Sequence, residues 1–315
     1  MLICPECNNS LDFTADLSGD ITCRECSRTF CRTNGFISFD NESFAASQDY
    51  LANNDDAFIA AEDEATEARI SRYFVPQLRR LGLESDARIL CLGCGGGADV
   101  AALRALGYQN AFGVEMGWRS VWWKSRGRDA DSLFIVGGNA LPFQDDFFDL
   151  IICLGVIEHV GAIGSGAQLY PDYREIRQRF LAEAVRVLSK NGKIILSCPN
   201  RTFPVDFQHN ISKSTVFKKV AAKTGVSFHS PRHRFLNSYQ DIRAIASTVS
   251  DSLIVEPMPV AGFLGLSFKK SPYLRPLSSL FDQYLAVLDK MPSTLRMSFF
   301  NPYMITLIHH RDRGL

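Results

Sequence analysis

Short apolar runs near 88–92, 111–115, 133–136, 149–154 and 193–198 punctuate the middle of the chain, and amphipathic stretches separate them. Brief apolar runs alternating with helical-period segments predict a parallel sheet covered by helices on both faces. In such sheets ligands sit at the carboxyl ends of the strands. Upstream, residues 62–81 carry apolar positions at helical spacing and predict a helix that lids this ligand end. Downstream, 238–249 predicts a helix with Ser238 as its N-cap, 253–256 a sixth strand and 303–310 a last strand. The expected fold class is therefore α/β with a seven-stranded sheet.

Three segments depart from this alternation. Residues 41–56 are rich in Asn, Asp, Ser and Ala and read as a linker. A Pro-punctuated loop after the fifth strand leads into a stretch holding Lys213, Lys218, Lys219, Lys223, His229, Arg232, His233 and Arg234, so 201–237 reads as a substrate-side insert. A second insert, 261–298, separates the last two strands and places Leu274, Leu277, Leu280, Phe281, Leu285 and Leu288 at helix-compatible spacing. Such a stripe usually packs in a core; a homodimer surface and a shallow membrane contact are its other uses. The expected division is 1–40 as a small N-terminal module, 41–85 as linker and lid helix, and 86–315 as the main domain.

Charge narrows the function classes. Lys plus Arg and Asp plus Glu number 34 each, and the net charge of zero carries no global footprint of a nucleic-acid binder. No stretch approaches the roughly 20 apolar residues that cross a bilayer, and the N-terminus reaches Cys4 and Glu6 without a signal core, so a cytoplasmic location is expected.

Four of the nine cysteines form two C-x-x-C pairs, Cys4 with Cys7 and Cys23 with Cys26. Each pair points two thiolates at one ion, and two pairs complete the tetrahedral set of a structural Zn²⁺ site. Few apolar residues lie in 1–40, so the metal must supply much of the folding energy, on the order of 10 kcal/mol. A short hairpin is expected between Leu11 and Thr22, and Cys31 is expected to be a spare buried thiol. The segment from Cys23 to Phe39 resembles the zinc-ribbon proteins that activate methyltransferases.

The stretch from Arg88 to Ala98 reads as a strand opening into a glycine loop, with Gly93, Gly95 and Gly97 at alternate positions, and Glu115 ends the next strand. The loop suits a nucleotide cofactor, and the carboxylate can accept from both ribose hydroxyls. Gly93, Gly95 and Ala98 also satisfy a dinucleotide G-x-G-x-x-A pattern, so the loop alone leaves the cofactor open. The choice comes from 138–160, with its Asn139-Ala140-Leu-Pro-Phe and Glu158-His159 motifs, and from the helix, turn and strand at 180–196. Together they resemble class I S-adenosylmethionine-dependent methyltransferases of the small-molecule superfamily. The resemblance implies that S-adenosylmethionine lies on Gly93, Cys94, Gly95 and Gly97, with its ribose on Glu115 beside Met116. Asn139 and Ala140 would then flank the adenine, and Leu154 would end the fourth strand at the site. The family commonly has an aspartate at the place of Cys91, which is expected here to be a core filler, leaving loop carbonyls to hold the methionine ammonium.

Methyl transfer from a sulfonium requires the acceptor to be held in line and, where it carries a proton, a base. His159 and His209, the latter with Asp206 nearby, are the candidates. Trp122 and Trp123 are expected to pack, and Arg232, His233 and Arg234 would suit an anionic acceptor. The leading expectation is methyl transfer to an oxygen or nitrogen of a small-molecule, lipid-like or glycan acceptor. An RNA base methyltransferase using the ribbon for recognition, and a noncatalytic adaptor with the same fold, are the alternatives.

Overall fold

The structure, a computed structural model, describes residues 1–11, 19–39, 56–163, 168–206, 209, 219, 227–263 and 278–311. The linker at 41–55, residues 207–208, 210–218 and 220–226 of the Lys-rich insert, and Leu274 and Leu277 lie outside them.

Four two-residue strands come first: β1 (Ile21–Thr22), β2 (Thr29–Phe30), β3 (Arg32–Thr33) and β4 (Phe36–Ile37). The main sheet follows with β5 (Ile89–Leu92), β6 (Ala111–Glu115), β7 (Leu133–Ile135), β8 (Phe148–Leu154) and β9 (Leu188–Pro199). A small pair, β10 (Val205–Asp206) with β11 (Ser227–Phe228), precedes β12 (Leu253–Pro257) and β13 (Tyr303–His310). The seven-stranded sheet has the order β12-β13-β9-β8-β5-β6-β7. β5 pairs in parallel with both β6 and β8, while β13 runs antiparallel to β12 from Leu253↔His310 to Pro257↔Thr306. Every strand expected from the apolar runs is present.

The chain forms two compact units, Met1–Cys153 with Arg179–Ile194, and Leu154–Gln178 with Ile195–Leu315. In the first, β5 is buried along its whole length, as an interior parallel strand must be, and Phe134, Phe143 and Phe148 stack edge to face behind it. In the second, Tyr239, Ile242, Met304, Ile305 and Ile308 are buried.

The helix expected over 62–81 begins earlier, at Asp56, and runs to Arg80 through one widened turn at Ile70–Phe74. Pro76 lies just beyond that turn; it has no N–H to donate and its ring crowds the preceding turn, which the wider coil relieves. β9 is longer than its apolar run. Within it Ser189-Lys-Asn-Gly192 bends back as the expected turn requires, for a Cβ on Gly192 would lie 2.8 Å from both Leu188 Cγ and the Phe148 carbonyl, a space only glycine fits. Ser238 caps the Tyr239–Val249 helix as expected, with Asp241 closing a reciprocal capping box. The Ser278–Leu288 helix buries Leu285 and Leu288 but leaves Leu280 63% exposed, so its apolar stripe packs only in part. Among the described residues no helix is long and apolar enough to cross a membrane.

Candidate active site and metal-binding ribbon

The two C-x-x-C turns are built alike. Asn8 N–H donates to the Cys4 carbonyl and Ser27 N–H to the Cys23 carbonyl, and both Asn8 and Ser27 adopt φ of +59° to close the knuckle. The sulfurs of Cys4 and Cys26 are 3.6 Å apart, as are those of Cys7 and Cys23, and all four lie within 4.8 Å of one another. A tetrahedral ion with metal–sulfur bonds of about 2.3 Å separates its sulfurs by about 3.8 Å, so the set fits Zn²⁺ with little adjustment. The hairpin observed here is β1 with β2 around the second knuckle; the core of the one expected before it, 12–18, is outside the described residues. Cys31, expected to be buried, is exposed, and the neighbouring Asp20 carboxylate raises its pKa. Its position one residue past β2 places the thiol outside the ribbon's small core.

The ribbon packs on elements that shape the glycine loop. Ile3 N–H donates to the Pro142 carbonyl, Phe39 N–H to the Ile135 carbonyl, and Asn34 Nδ2 to Ser120 Oγ. Phe36 meets the Trp123 ring edge-on at 5.0 Å, and Trp123 Nε1 donates to the Gly95 carbonyl at 2.8 Å. Trp123 does pack, as expected; its hydrogen bond to the loop has no sequence signal.

Gly93, Gly95 and Gly97 take φ of +80°, +54° and +73°, a left-handed run that other residues rarely follow. Glu115 braces the turn, its Oε2 accepting from Gly95 N–H at 3.0 Å and its Oε1 from Met116 N–H at 2.8 Å, and Arg119 Nε lies 3.9 Å from Oε2. The long N-terminal helix ties in through Asp63, which pairs with Arg126 and Arg128 at 2.9 Å, while Arg128 Nε donates to the Gly96 carbonyl. Met116 is 45% exposed, and Asn139 and Ala140 are exposed. Their turn is held by Glu183, which accepts from Leu141 N–H, and by Arg186, which donates to the carbonyls of Leu141 and Phe143. The Cys94 thiol points at Gly113 and is buried, so only its backbone faces a ligand. Leu154 is half-buried at the start of the second unit.

Cys91 is fully buried, and its thiol shares a hydrogen bond with Asp99. Burial raises the Asp99 pKa to about 6, against the opposing pull of the Val100 N–H and the Cys91 thiol. A carboxyl whose folded pKa lies above its unfolded value loses stability as pH rises through that interval. Asp99→Asn is therefore expected to stabilise the fold by on the order of 2 kcal/mol at about pH 8, a gain that vanishes near pH 4. Urea unfolding at the two pH values checks this, and an equal gain at both would contradict it.

In the second unit the chain leaves β8 through Gly155 into a turn carrying Glu158 and His159. Arg177 fixes that turn, donating to the carbonyls of Glu158 and Val160 and, from the same guanidinium, to Phe235 O and Asn237 Oδ1. His209 is set by Asp206, whose Oδ1 accepts from its backbone N–H and whose Oδ2 lies 3.1 Å from Nδ1. The Nε2 atoms of His209 and His159 are 3.3 Å apart, and Phe235 presents an edge to both rings. The two histidines expected as bases are thus brought together, with a buried carboxylate beside them: Glu158 Oε1 is 3.9 Å from His209 Nε2. Burial presses the His209 pKa down, but the hydrogen bond and charge of Asp206 more than offset it and the net shift is upward. Burial raises Glu158 to about 7. Of Arg232, His233 and Arg234, the last lies 3.8 Å from Asp241 and the His233 ring stands edge-on to Phe235 at 6.4 Å.

A strand, a left-handed glycine loop, an acid ending the second strand and an antiparallel last strand define a class I S-adenosylmethionine-dependent methyltransferase domain. Residues 90–196 match the family described as Methyltransferase domain, Methyltransf_11, and the chain carries that domain. No curated protein matches the chain. Among solved structures it is similar to the Haloferax volcanii complex of the Trm112 methyltransferase activator with a putative methyltransferase, at 16% identity and TM-score 0.45 over 80% of this chain and 94% of that one. It is likewise similar to a SAM-dependent methyltransferase from Archaeoglobus fulgidus, at 14% identity and TM-score 0.45 over 81% and 99%. For the PH0226 protein of Pyrococcus horikoshii the values are 22% and 0.33, and 42% of this chain spans 57% of that protein's length.

Proposed function

We propose that this protein transfers the methyl group of S-adenosylmethionine to an oxygen or nitrogen that must lose a proton, on a small-molecule, lipid-like or glycan acceptor. The loop from Gly93 to Gly97 holds the methionine part, its backbone carbonyls taking the ammonium that the family's aspartate would otherwise meet. Glu115 takes the ribose hydroxyls, and Asn139 with Ala140 flanks the adenine. Cys4, Cys7, Cys23 and Cys26 hold a structural zinc ion.

The observation that carries the acceptor assignment is the Asp206–His209–His159 array. A carboxylate that fixes Nδ1–H of His209 leaves Nε2 as a base with a defined direction, and such a group has work to do only where the acceptor carries a proton. The zero net charge weighs against a nucleic-acid acceptor. The test is transfer of tritiated methyl groups to pools of small hydroxylated and amine compounds, glycans and total RNA. Label is expected in the small-molecule or glycan pool, and His209→Ala is expected to slow it by about a hundredfold or more while cofactor affinity is kept. Label confined to RNA, or none from a protein that binds the cofactor, would overturn the acceptor reading.

A further inference from the structure

We propose that Glu158, His159 and His209 form a binding site for a divalent first-row transition-metal ion, separate from the cysteine set of the ribbon. Their ligand atoms lie within 4.8 Å of one another. Two nitrogens bound to one ion at about 2.1 Å stand roughly 3.0–3.4 Å apart, and the two Nε2 atoms are separated by 3.3 Å. The 3.9 Å from His209 Nε2 to Glu158 Oε1 exceeds this by about half an ångström, within reach of a small carboxylate rotation.

Glu158 supplies the independent observation. It is 0% exposed, and neither carboxylate oxygen accepts a hydrogen bond from the described residues. A carboxylate taken out of water without a partner is costly, and buried charges are ordinarily paired or coordinate metals. Arg177, the nearest fixed cation, spends its donors on backbone carbonyls and Asn237 and so satisfies the turn rather than the acid. A bare hydrogen bond between the imidazoles would satisfy two nitrogens and leave Glu158 as it is. One ion satisfies all three groups.

The surroundings are those of a histidine–metal site. Asp206 fixes the His209 proton on Nδ1 and leaves the Nε2 lone pair facing the cluster, as an outer carboxylate does for a ligating histidine. Ser227 Oγ donates to the His209 carbonyl and locks the backbone that carries it. His159 is exposed and gives the ion its entry, while Glu158 closes the inner end. Two imidazoles and one carboxylate select Zn²⁺, Co²⁺, Fe²⁺ or Mn²⁺ over Mg²⁺ or Ca²⁺, and three protein ligands leave positions open for an exogenous oxygen or nitrogen. In the loaded protein both histidines are ligands, and lowering the pKa of a bound acceptor hydroxyl falls to the ion.

The full-length protein, with its ribbon already loaded with zinc, is titrated with Co²⁺ and followed by visible absorption. One further equivalent is expected, with ligand-field bands and without the sulfur-to-cobalt charge transfer that exchange into the ribbon would give. Glu158→Gln and His209→Ala are each expected to weaken uptake by more than about a hundredfold, and Asp206→Asn by roughly ten- to a hundredfold. Failure of the wild-type protein to take up the further equivalent, or uptake undiminished in both ligand variants, would overturn the proposal; the wild-type titration decides if a variant does not fold. No acceptor or methyl donor enters this experiment, so its failure leaves the base assignment standing, and a failed acceptor screen leaves the metal site standing.

Discussion

Stripping zinc from Cys4, Cys7, Cys23 and Cys26 is expected to unfold residues 1–39 and to weaken S-adenosylmethionine binding at a loop these cysteines do not touch. Among the described residues the ribbon's strands are two residues long and its core, besides the ligand cysteines, is Leu2, Ile3, Leu11, Phe30, Phe36, Ile37 and Phe39. Against the on the order of 10 kcal/mol that a structural zinc ion supplies, that core cannot hold the module folded alone. Its loss removes Phe36 from Trp123, and Trp123 is the group whose Nε1–H holds the Gly95 carbonyl at 2.8 Å. One aromatic contact and one hydrogen bond are each worth roughly 0.5–1.5 kcal/mol, so cofactor affinity should fall about tenfold. Cys23→Ser isolates the ribbon from any other metal the chain binds, and calorimetry beside circular dichroism reads the result. Unchanged affinity in a protein whose ribbon has unfolded would show that the loop does not depend on it.

Glu115→Ala is expected to have the larger effect on the cofactor itself, a loss of roughly a hundredfold or more in affinity. Two charge-assisted hydrogen bonds to ribose hydroxyls, each worth about 1.5–3 kcal/mol, disappear together with the brace on Gly95. Trp123→Phe separates the two contributions, since it releases the loop from above while leaving the carboxylate in place. It should cost no more than about tenfold. Calorimetric titration of both variants checks the order, and full affinity in Glu115→Ala would remove the residue from the cofactor site.

Much of the fold was legible because its strands are interior strands. Ile89 to Leu92 and Leu150 to Cys153 are buried on both faces and so read as unbroken apolar runs, as does most of Tyr303 to His310, whereas edge strand β12 exposes Glu256 and is read from a shorter pattern. The turn expected before 193 is present, since Gly192 lies against the Leu188 side chain; its close approach to the Phe148 carbonyl is set by packing and invisible to local preference. In the sites, residue types with narrow chemistry could be read in advance: the alternate glycines, the four spaced cysteines, and both histidines with Asp206. What could not be read is what tertiary burial makes of ordinary residues. Trp123 looked like any core aromatic, Arg177 like one more helix charge, and Asp99 like a first-turn acid, yet each acts through a partner distant in sequence. Glu158 was visible beside His159, but that neither of its oxygens accepts a hydrogen bond from the described residues, while Arg177 donates to the Arg234 and Phe235 carbonyls, is a tertiary fact.

The most direct test of the account is calorimetric titration of the zinc-loaded wild-type protein with S-adenosylmethionine and, separately, with its demethylated product. The account predicts micromolar binding of both at one site per chain, each displacing the other. A folded protein that binds neither would contradict it and leave the methyltransferase fold serving as a noncatalytic scaffold.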